Sequence, residues 1–368
     1  MRVCLFTPVF LPTLGGIGIV VHQLASFLSE EGHDVTVIVH KRRGENPPRD
    51  LPYRVFRFRR PFSQRFGVEH MIVYLTWEKL VRGFDILHCH SAYPHGYIGS
   101  IFKKLFKTPL VITSHGDIMK GSRARDDARL AKRVRTAMES ANAVTALSHC
   151  MKEESIHLGA REQVIDLIPN AVDLREFQSE EKFVFKTPYI FSMGILRKVK
   201  GFDVLLEAFE RVKTRHPDIS LLIGGEGKER GRLEKLVSDL NLKERVHFLG
   251  AVSGKQKISL LKGCEFYVCA AIAEEPFSNS TLEAFAAGKA VVASHVGGVP
   301  DLVEEGRTGR LVPPANPAVL AEKMIELLHH PALVQALSNQ ALVKSKVFDV
   351  KLVMRNYLNV YRRLLNPL

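Results

Sequence analysis

A strand, a helix and a second strand follow one another closely in the C-terminal half of the chain, and this unit constrains the fold most. An apolar run at 266–270 leads into a polar loop. The residues at 278–280 are of the kinds that cap helix N-termini, so we expect a helix at 281–287, ended by Gly288. A second apolar run at 290–294 has the length of a buried strand. Buried strands that alternate with helices predict a parallel α/β sheet.

Two glutamates bracket the start of the predicted helix. Glu275 and Glu283 have seven residues between them, and a mostly helical path would place their backbones about 12 Å apart. That distance is too long for a shared proton or for one metal ion. It suits two contacts along an extended ligand, with an anion held between them by the N–H groups of the helix start. A nucleoside diphosphate sugar, which carries hydroxyls on both sides of a diphosphate, has this shape.

Length and composition favour a two-domain globular protein. The chain has 368 residues, 46% of them hydrophobic and 25% charged, and this length accommodates two domains of ordinary size. No apolar run reaches the length of a membrane span. Prolines and a glycine pair interrupt the N-terminus, so we interpret it as a first strand and loop rather than a signal peptide. Five cysteines without a C-x-x-C spacing favour buried thiols in a reducing compartment, which predicts a cytoplasmic protein.

The formal charge of +13 points to anionic partners. Basic residues are concentrated at 41–43, 49–65 and 120–135, and none of these segments resembles a nucleic-acid-binding module, so we expect no nucleic acid. Two interpretations stay open: a face that meets anionic lipid or an anionic acceptor, and a face that is only solvated. The alternation at 54–59 predicts an exposed strand. Arginines and phenylalanines are interleaved there and beyond, as on a surface that touches anionic lipid: Arg54, Phe56, Arg57, Phe58, Arg59, Arg60, Phe62, Arg65 and Phe66.

The N-terminal half begins with the same alternation of strands and helices. A strand at 2–6 leads through a loop with Gly15, Gly16 and Ile17 into a helix with one apolar face, and a strand at 34–40 follows. This is the doubly wound arrangement, whose first turn commonly approaches an anion or a nucleotide. The loop lacks the G-x-G-x-x-G spacing, so the dinucleotide fingerprint is excluded.

Histidines follow two of the predicted strands of this half. His115 comes after the strand at 109–113, at the end where parallel α/β sheets bind ligands. His88 and His90 share one strand face, with His95 near them. A metal site is disfavoured here, because no clear set of carboxylate or thiolate ligands accompanies the histidines.

The segment from Glu275 to Ser294 fits the pattern E-P-F-x-x-x-x-L-E-A-x-A-x-G-x-A-V-V-A-S, which closely resembles the donor site of the family 4 retaining glycosyltransferases. Weaker matches are the glycine loop at 15–17, T-S-H-G ending at Gly116, I-P-N-A-V-D from Ile168 and G-G-E-G from Gly224. The resemblance implies the GT-B fold, an α/β architecture of two doubly wound Rossmann-like domains facing across a cleft. The implied parts are an acceptor-side domain at 1–172, a donor domain at 173–349, and a C-terminal helix at about 350–368 that packs back on the first domain.

The resemblance also implies roles for particular residues. The expected catalytic set is Glu275 and His115 at the donor sugar, with Arg197 and Lys200 at the diphosphate. Glu283 is expected to bind the ribose. The other implied donor contacts are Gly15, Gly16, Ile17, Glu226, Phe277, Ser278, Asn279 and Ser280, and the implied acceptor contacts are His95 and Asn170.

The sequence departs from the family pattern at two of these motifs. Ile195 stands where the family commonly has an arginine, which leaves open whether Arg197 or Lys198 points at the diphosphate. Ala171 replaces the usual glycine of the I-P-N motif.

The implied reaction moves a sugar, with retention at the anomeric carbon, from a UDP- or GDP-sugar to an acceptor hydroxyl. We expect no cofactor, and because the chain has no D-x-D motif we expect no metal. The expected acceptor is lipid-linked or otherwise anionic, in cell-surface glycan or glycolipid synthesis at the inner face of the membrane. Two alternatives are a related GT-B catalyst (a nucleotide-sugar epimerase or a phosphorylase) and a non-catalytic nucleotide-sugar-binding protein.

Overall fold

Apolar strands joined by amphipathic helices build two separate parallel sheets. The computed structural model describes residues 1–12, 16–41, 50–58, 70–119, 121–179, 181–273 and 275–366. By its internal contacts the chain divides into a first unit, Met1–Ala171 with Val350–Leu368, and a second unit, Val172–Asp349. None of the helices in the described ranges has both the length and the apolar character that crossing a membrane requires.

The first unit is built on a parallel sheet. Within the described ranges its strands are β1 (Arg2–Thr7), β2 (Asp34–His40), β3 (Arg54–Phe58), β4 (Ile86–Cys89), β5 (Leu110–Thr113), β6 (Ala143–Ala146) and β7 (Ile165–Leu167). Their order across the sheet is β3-β2-β1-β4-β5-β6-β7. The register pairs Phe6 with Cys89 and Cys89 with Ile112. The carboxyl ends of β1, β4 and β5 therefore lie side by side, and the residues that follow them meet at one edge of the sheet.

Helices cover both faces of this sheet. They are α1 (Gly16–Glu30), α2 (His70–Val81), α3 (Tyr97–Phe106), α4 (Arg123–Asp126), α5 (Ala128–Ser140) and α6 (His149–His157). One core cluster contains side chains of α2, α3 and α5. The other contains side chains of α1 and of the C-terminal helix Val350–Leu365, whose Tyr357 and Tyr361 are fully buried.

The expectation of an exposed basic strand at 54–59 is wrong for the described residues. β3 is the edge strand, and all of its side chains are at least half-buried. Phe58 stacks on Tyr74 with ring centroids 4.9 Å apart, and Arg54 donates to the buried carboxylate of Glu78 at 3.0 Å. Arg57 donates to the carbonyl of Leu11. Arg59, Arg60, Phe62, Arg65 and Phe66 lie outside the described residues.

The second unit repeats the arrangement. Its strands in the described ranges are β8 (Tyr189–Met193), β9 (Ser220–Gly224), β10 (Val246–Gly250), β11 (Tyr267–Cys269), β12 (Val291–Ser294) and β13 (Gly309–Val312), in the order β10-β9-β8-β11-β12-β13. Its helices are α7 (Phe202–Arg215), α8 (Arg230–Asp239), α9 (Gly254–Gly263), α10 (Asn279–Ala286), α11 (Val299–Leu302), α12 (Pro317–His329) and α13 (Pro331–Ser345), and the C-terminal helix is α14. The loops that follow β8, β11 and β12 leave the carboxyl edge of this sheet together.

The helix expected at 281–287 begins two residues earlier. Ser278 occupies the cap position of α10, but its side chain makes no capping bond to the backbone. Its hydroxyl instead bonds to the hydroxyl of Thr281 at 2.9 Å. The residue types at 278–280 therefore marked the helix start correctly, although two of the three, Asn279 and Ser280, lie inside the helix.

Candidate active site

Two loops of the second unit make a close backbone approach beside Lys200. Lys198–Lys200 forms a 3-10 turn after β8, and Gly201 follows it with a φ of 63°. A Cβ at Gly201 would lie 2.0 Å from the carbonyl oxygen of Ala270 in the loop after β11. In the same contact the N–H of Ile272 donates to the carbonyl of Val199 at 2.9 Å. Only glycine permits this close approach of the two backbones. The approach places Lys200 next to the loop that contains Glu275.

Lys200 and Glu275 form an ion pair. Their Nζ and Oε2 atoms are 2.5 Å apart, and the side chain of Glu275 is only 6% exposed. Burial disfavours the charged Lys200 ammonium, but the Glu275 carboxylate outweighs this effect and raises the pKa of Lys200. Lys200 is therefore protonated and positively charged at the carboxyl edge of the sheet.

The loop after β12 fixes the backbone of Glu275. The N–H of Gly298 donates to the Glu275 carbonyl at 2.8 Å. Gly297 has a φ of 53°, and a Cβ there would lie 2.0 Å from the same carbonyl oxygen. Glu275 is thus held through its side chain by one loop and through its main chain by another.

The N-terminus of α10 lies in the same segment. Phe277 is buried, with its ring 6.1 Å from that of Phe348, and Ser278 is buried beside Cys269, with Oγ and Sγ 3.6 Å apart. Asn279 and Ser280 form the first turn of the helix. The amides of a helix start have no partner within the helix, which makes this turn suited to an anion.

Glu283 is paired with a lysine that the sequence did not single out. The Nζ atom of Lys257, on α9, lies 2.6 Å from Glu283 Oε1. Burial raises the pKa of Glu283, and the Lys257 ammonium opposes this shift. The G-K-Q-K stretch that contains Lys257 matches no motif. The pair could be found only once α9 and α10 were placed in the fold.

Arg197 and Glu226 lie at the periphery of the Lys200 loop. Arg197, Lys198 and Ile195 are all exposed, so burial does not decide which basic side chain points inward. Glu226 accepts the N–H of Leu196 at its carbonyl, 2.9 Å away, and its carboxylate lies 3.5 Å from Arg230. The main chain of Glu226 therefore supports the loop that carries Arg197.

Two predicted residues of the first unit, His95 and His115, follow β4 and β5. The Nε2 atom of His115 lies 3.2 Å from Nδ1 of His90, and burial lowers the pKa of His115 to about 4. His95 is buried, bonds to Ser91 Oγ at 2.8 Å, and has a pKa lowered to about 3 by burial. These imidazoles are therefore neutral at physiological pH. Asn170 is also buried, Gly16 and Ile17 begin α1, and Gly15 lies outside the described residues.

The histidines bond to hydroxyls and to each other. His88 uses Nδ1 with the Tyr361 hydroxyl at 2.6 Å and Nε2 with the Thr113 hydroxyl at 2.7 Å. Among the described residues there is no group of three or more His, Cys, Asp and Glu side chains arranged to hold a metal ion.

On the sequence expectation that Glu283 binds the ribose, replacing Lys257 with methionine should weaken UDP binding by about tenfold, because the partly buried carboxylate loses the ammonium that holds it. The pKa of Glu283, already raised, rises further without the ammonium, and a protonated carboxyl accepts fewer bonds from ribose hydroxyls. The deficit should therefore grow as the pH is lowered. Calorimetric titration with UDP checks this. Lys255→Met, an exposed residue of the same helix, is the matched control, and equal affinities for both variants would exclude the role given to Lys257.

Two family models match consecutive parts of the chain. The model described as Glycosyltransferase Family 4 matches residues 14–176. The model described as Glycosyl transferases group 1 matches residues 174–343. The second match contains both lysine–glutamate pairs.

Individual proteins resemble the chain over almost its whole length. N-acetyl-alpha-D-glucosaminyl L-malate synthase of Bacillus anthracis is 27% identical over 355 residues, covering 90% of this chain and 89% of that protein. Sucrose-phosphate synthase from Thermosynechococcus elongatus aligns with a TM-score of 0.86 at 22% identity, covering 99% of this chain and 98% of that one. Anabaena HepE in complex with UDP aligns with a TM-score of 0.82 at 19% identity, covering 98% and 100%. At these identities the structural matches establish the fold.

Two doubly wound parallel sheets of this order, with the E-x7-E segment at the carboxyl edge of the second, define a GT-B glycosyltransferase that uses a nucleotide-sugar donor. The chain belongs to glycosyltransferase family 4, the group 1 glycosyl transferases.

Proposed function

We propose that this enzyme transfers a sugar from a UDP-sugar, with retention and without a metal ion, to a hydroxyl of an anionic acceptor. The observation that carries the donor part is the pairing of both E-x7-E glutamates with lysines, Glu275 with Lys200 and Glu283 with Lys257. UDP is preferred to GDP because HepE, of the same fold, was solved with UDP.

In this proposal Lys200 and Arg197 neutralise the diphosphate as it leaves, together with the first amides of α10. Positive charge fixed in advance at the leaving group stabilises the transition state and supplies what a metal ion supplies elsewhere. Glu275 binds hydroxyls of the donor sugar and Glu283 those of the ribose. Glu275 is not proposed as a nucleophile, because the family resemblance implies reaction on the front face of the donor sugar, within a closed ion pair.

The proposal of an anionic acceptor is supported by exposed basic side chains in the first unit. The α4–α5 segment, which follows His115 in the chain, exposes Arg123, Arg129, Lys132 and Arg135. The relative from Bacillus anthracis is named for L-malate, an anionic acceptor. An anionic acceptor carried on a lipid would place the reaction in glycolipid or cell-surface glycan synthesis, at the inner face of the cell membrane. His115 is assigned to the donor sugar, and His95 and Asn170 to the acceptor side, on the family resemblance.

A donor panel tests the proposal. UDP-glucose, UDP-N-acetylglucosamine and GDP-mannose are titrated calorimetrically with EDTA present, and the donor that binds is then offered to malate and to a lipid phosphate. We expect a UDP-sugar to bind, to be consumed only with acceptor, and to give a product whose anomeric proton coupling in NMR matches that of the donor. Donor consumption without acceptor would indicate an epimerase or a hydrolytic reaction. Binding of GDP-mannose alone would contradict the choice of UDP.

A further inference from the structure

Helix α2 of the first unit is apolar on two opposite faces. Met71, Leu75 and Glu78 are buried against the unit. Exposed on the other side are four large apolar side chains: Val73 (67%), Trp77 (60%), Leu80 (72%) and Val81 (56%). Their spacing of four, seven and eight residues from Val73 places them on one helix face. We call these four residues the α2 apolar face. Contiguous exposed apolar surface of this kind marks an interaction site.

Among the described residues, the exposed charges that adjoin the α2 apolar face in the chain are positive. The carboxylate of Glu78, the single acidic residue of α2, is 2% exposed and paired with Arg54. Lys79 donates to the carbonyl of Phe84 at 2.5 Å, and the next exposed charged residue along the chain is Arg82. The nearby Asp85 is paired with Arg2 at 2.9 Å.

A neighbouring helix adds to this character. α3 packs on α2, and the ring of Phe102 on α3 stacks on that of Phe84, which lies between α2 and β4, with the centroids 5.5 Å apart. At its C-terminal end α3 exposes Lys104, Leu105 and Lys107. Helices α2 and α3, with Arg82 and Lys107 just after them, therefore present apolar and basic side chains to the outside, and the two helices have no exposed carboxylate of their own.

We infer that the α2 apolar face docks on an anionic lipid bilayer. Trp, Leu and Val side chains enter the boundary between headgroups and acyl chains to a depth of about 5–10 Å, while adjoining cations meet lipid phosphates. The chain's formal charge of +13 adds long-range attraction to such a surface. Docking on lipid does not depend on the proposed function. Its consequence does, because presenting a lipid-linked acceptor to the first unit presupposes that function. It places the docking surface on α2 rather than on the strand at 54–58.

The chain offers a reporter located on this face, because Trp77 is its single tryptophan. The purified protein is mixed with vesicles of phosphatidylcholine alone or with phosphatidylglycerol added, at low and at high salt, without nucleotide. With phosphatidylglycerol at low salt we expect the Trp77 emission to shift to the blue and acrylamide quenching to fall about threefold or more. High salt should weaken the effect, since the lipid charge is then screened.

Co-sedimentation with the same vesicles distinguishes binding through the α2 apolar face from nonspecific binding by other exposed apolar residues. Val73→Ser, Leu80→Ser and Val81→Ser combined should lower partitioning by about tenfold or more, since three apolar side chains no longer enter the bilayer. Val343→Ser with Val347→Ser, two valines of the second unit that are 55% and 63% exposed, is the matched control and should change nothing.

Three results would overturn the inference. One is unchanged Trp77 emission with phosphatidylglycerol vesicles. Another is a Trp77 already shielded from acrylamide in the free protein, which would mean that the face is covered before any vesicle is added. The third is a dimer in solution that the triple variant converts to monomer, which would identify a second copy as the occupant. UDP titration of the triple variant is run in parallel, so that failure of donor binding is recognised separately.

Discussion

Replacing Lys200 with methionine is expected to lower kcat/KM for the donor by about 10²–10³-fold, the effect of removing one fixed electrostatic contact from a transition state. The change removes the charge proposed to meet the leaving diphosphate. It also leaves Glu275, whose side chain is 6% exposed, as a buried carboxylate without its partner. UDP affinity should fall as well, by about tenfold or more, since a charge-assisted bond to the diphosphate is lost.

The control for this variant lies in the same turn. Lys198→Met removes the same charge two residues away, from an exposed side chain, and should change kcat/KM by less than about threefold. Steady-state kinetics and UDP calorimetry measure both effects. If the two variants have the same kcat/KM and UDP affinity, Lys200 is not the residue that binds the diphosphate, and Arg197 becomes the residue to test.

Gly297→Ala is expected to destabilise the second unit by about 3 kcal/mol or more and to abolish measurable UDP binding. The backbone has a φ of 53°, which costs an L-residue about 1–2 kcal/mol. In addition the new Cβ would lie 2.0 Å from the Glu275 carbonyl oxygen, so the loop must move, and the hold on Glu275 is lost with it. For a unit of this size the corresponding fall in Tm is about 6 °C or more.

Another glycine of the same unit provides the comparison. Gly231, in α8, has nothing within 4 Å of an added Cβ. Gly231→Ala should therefore leave UDP binding unchanged and raise stability slightly, by up to about 1 kcal/mol. Calorimetric unfolding of both variants is the measurement. A Gly297→Ala protein that unfolds at the parent temperature and still binds UDP would show that the close approach does not build the site.

The sequence predicted the fold class because its signals were local. Apolar runs of strand length, helix caps and glycines recur along the chain, and they required two parallel α/β sheets. The E-x7-E segment was recognisable for the same reason, since its cap residues, helix and following strand are contiguous.

What the sequence could not predict depends on residues far apart in the chain. Lys257 meets Glu283 only because α9 and α10 are neighbours in the folded unit. The alternation at 54–58 suggested an exposed strand, since nothing local shows that Arg54 bonds to Glu78 on α2. The exposed face of α2 was missed as well, because an apolar helix sequence does not reveal which of its sides is covered.

The most direct test of the donor assignment compares the two glutamates. UDP is titrated calorimetrically into the parent, Glu283→Gln and Glu275→Gln, and turnover is measured with the donor that the panel selects. Glu283→Gln should weaken UDP by about tenfold or more, because the ribose contact is present in the product nucleotide. Glu275→Gln should keep UDP affinity within about threefold of the parent and lower turnover by about a hundredfold, because its contact is to the transferred sugar. The reverse pattern, with UDP affinity lost in Glu275→Gln and kept in Glu283→Gln, would contradict the account.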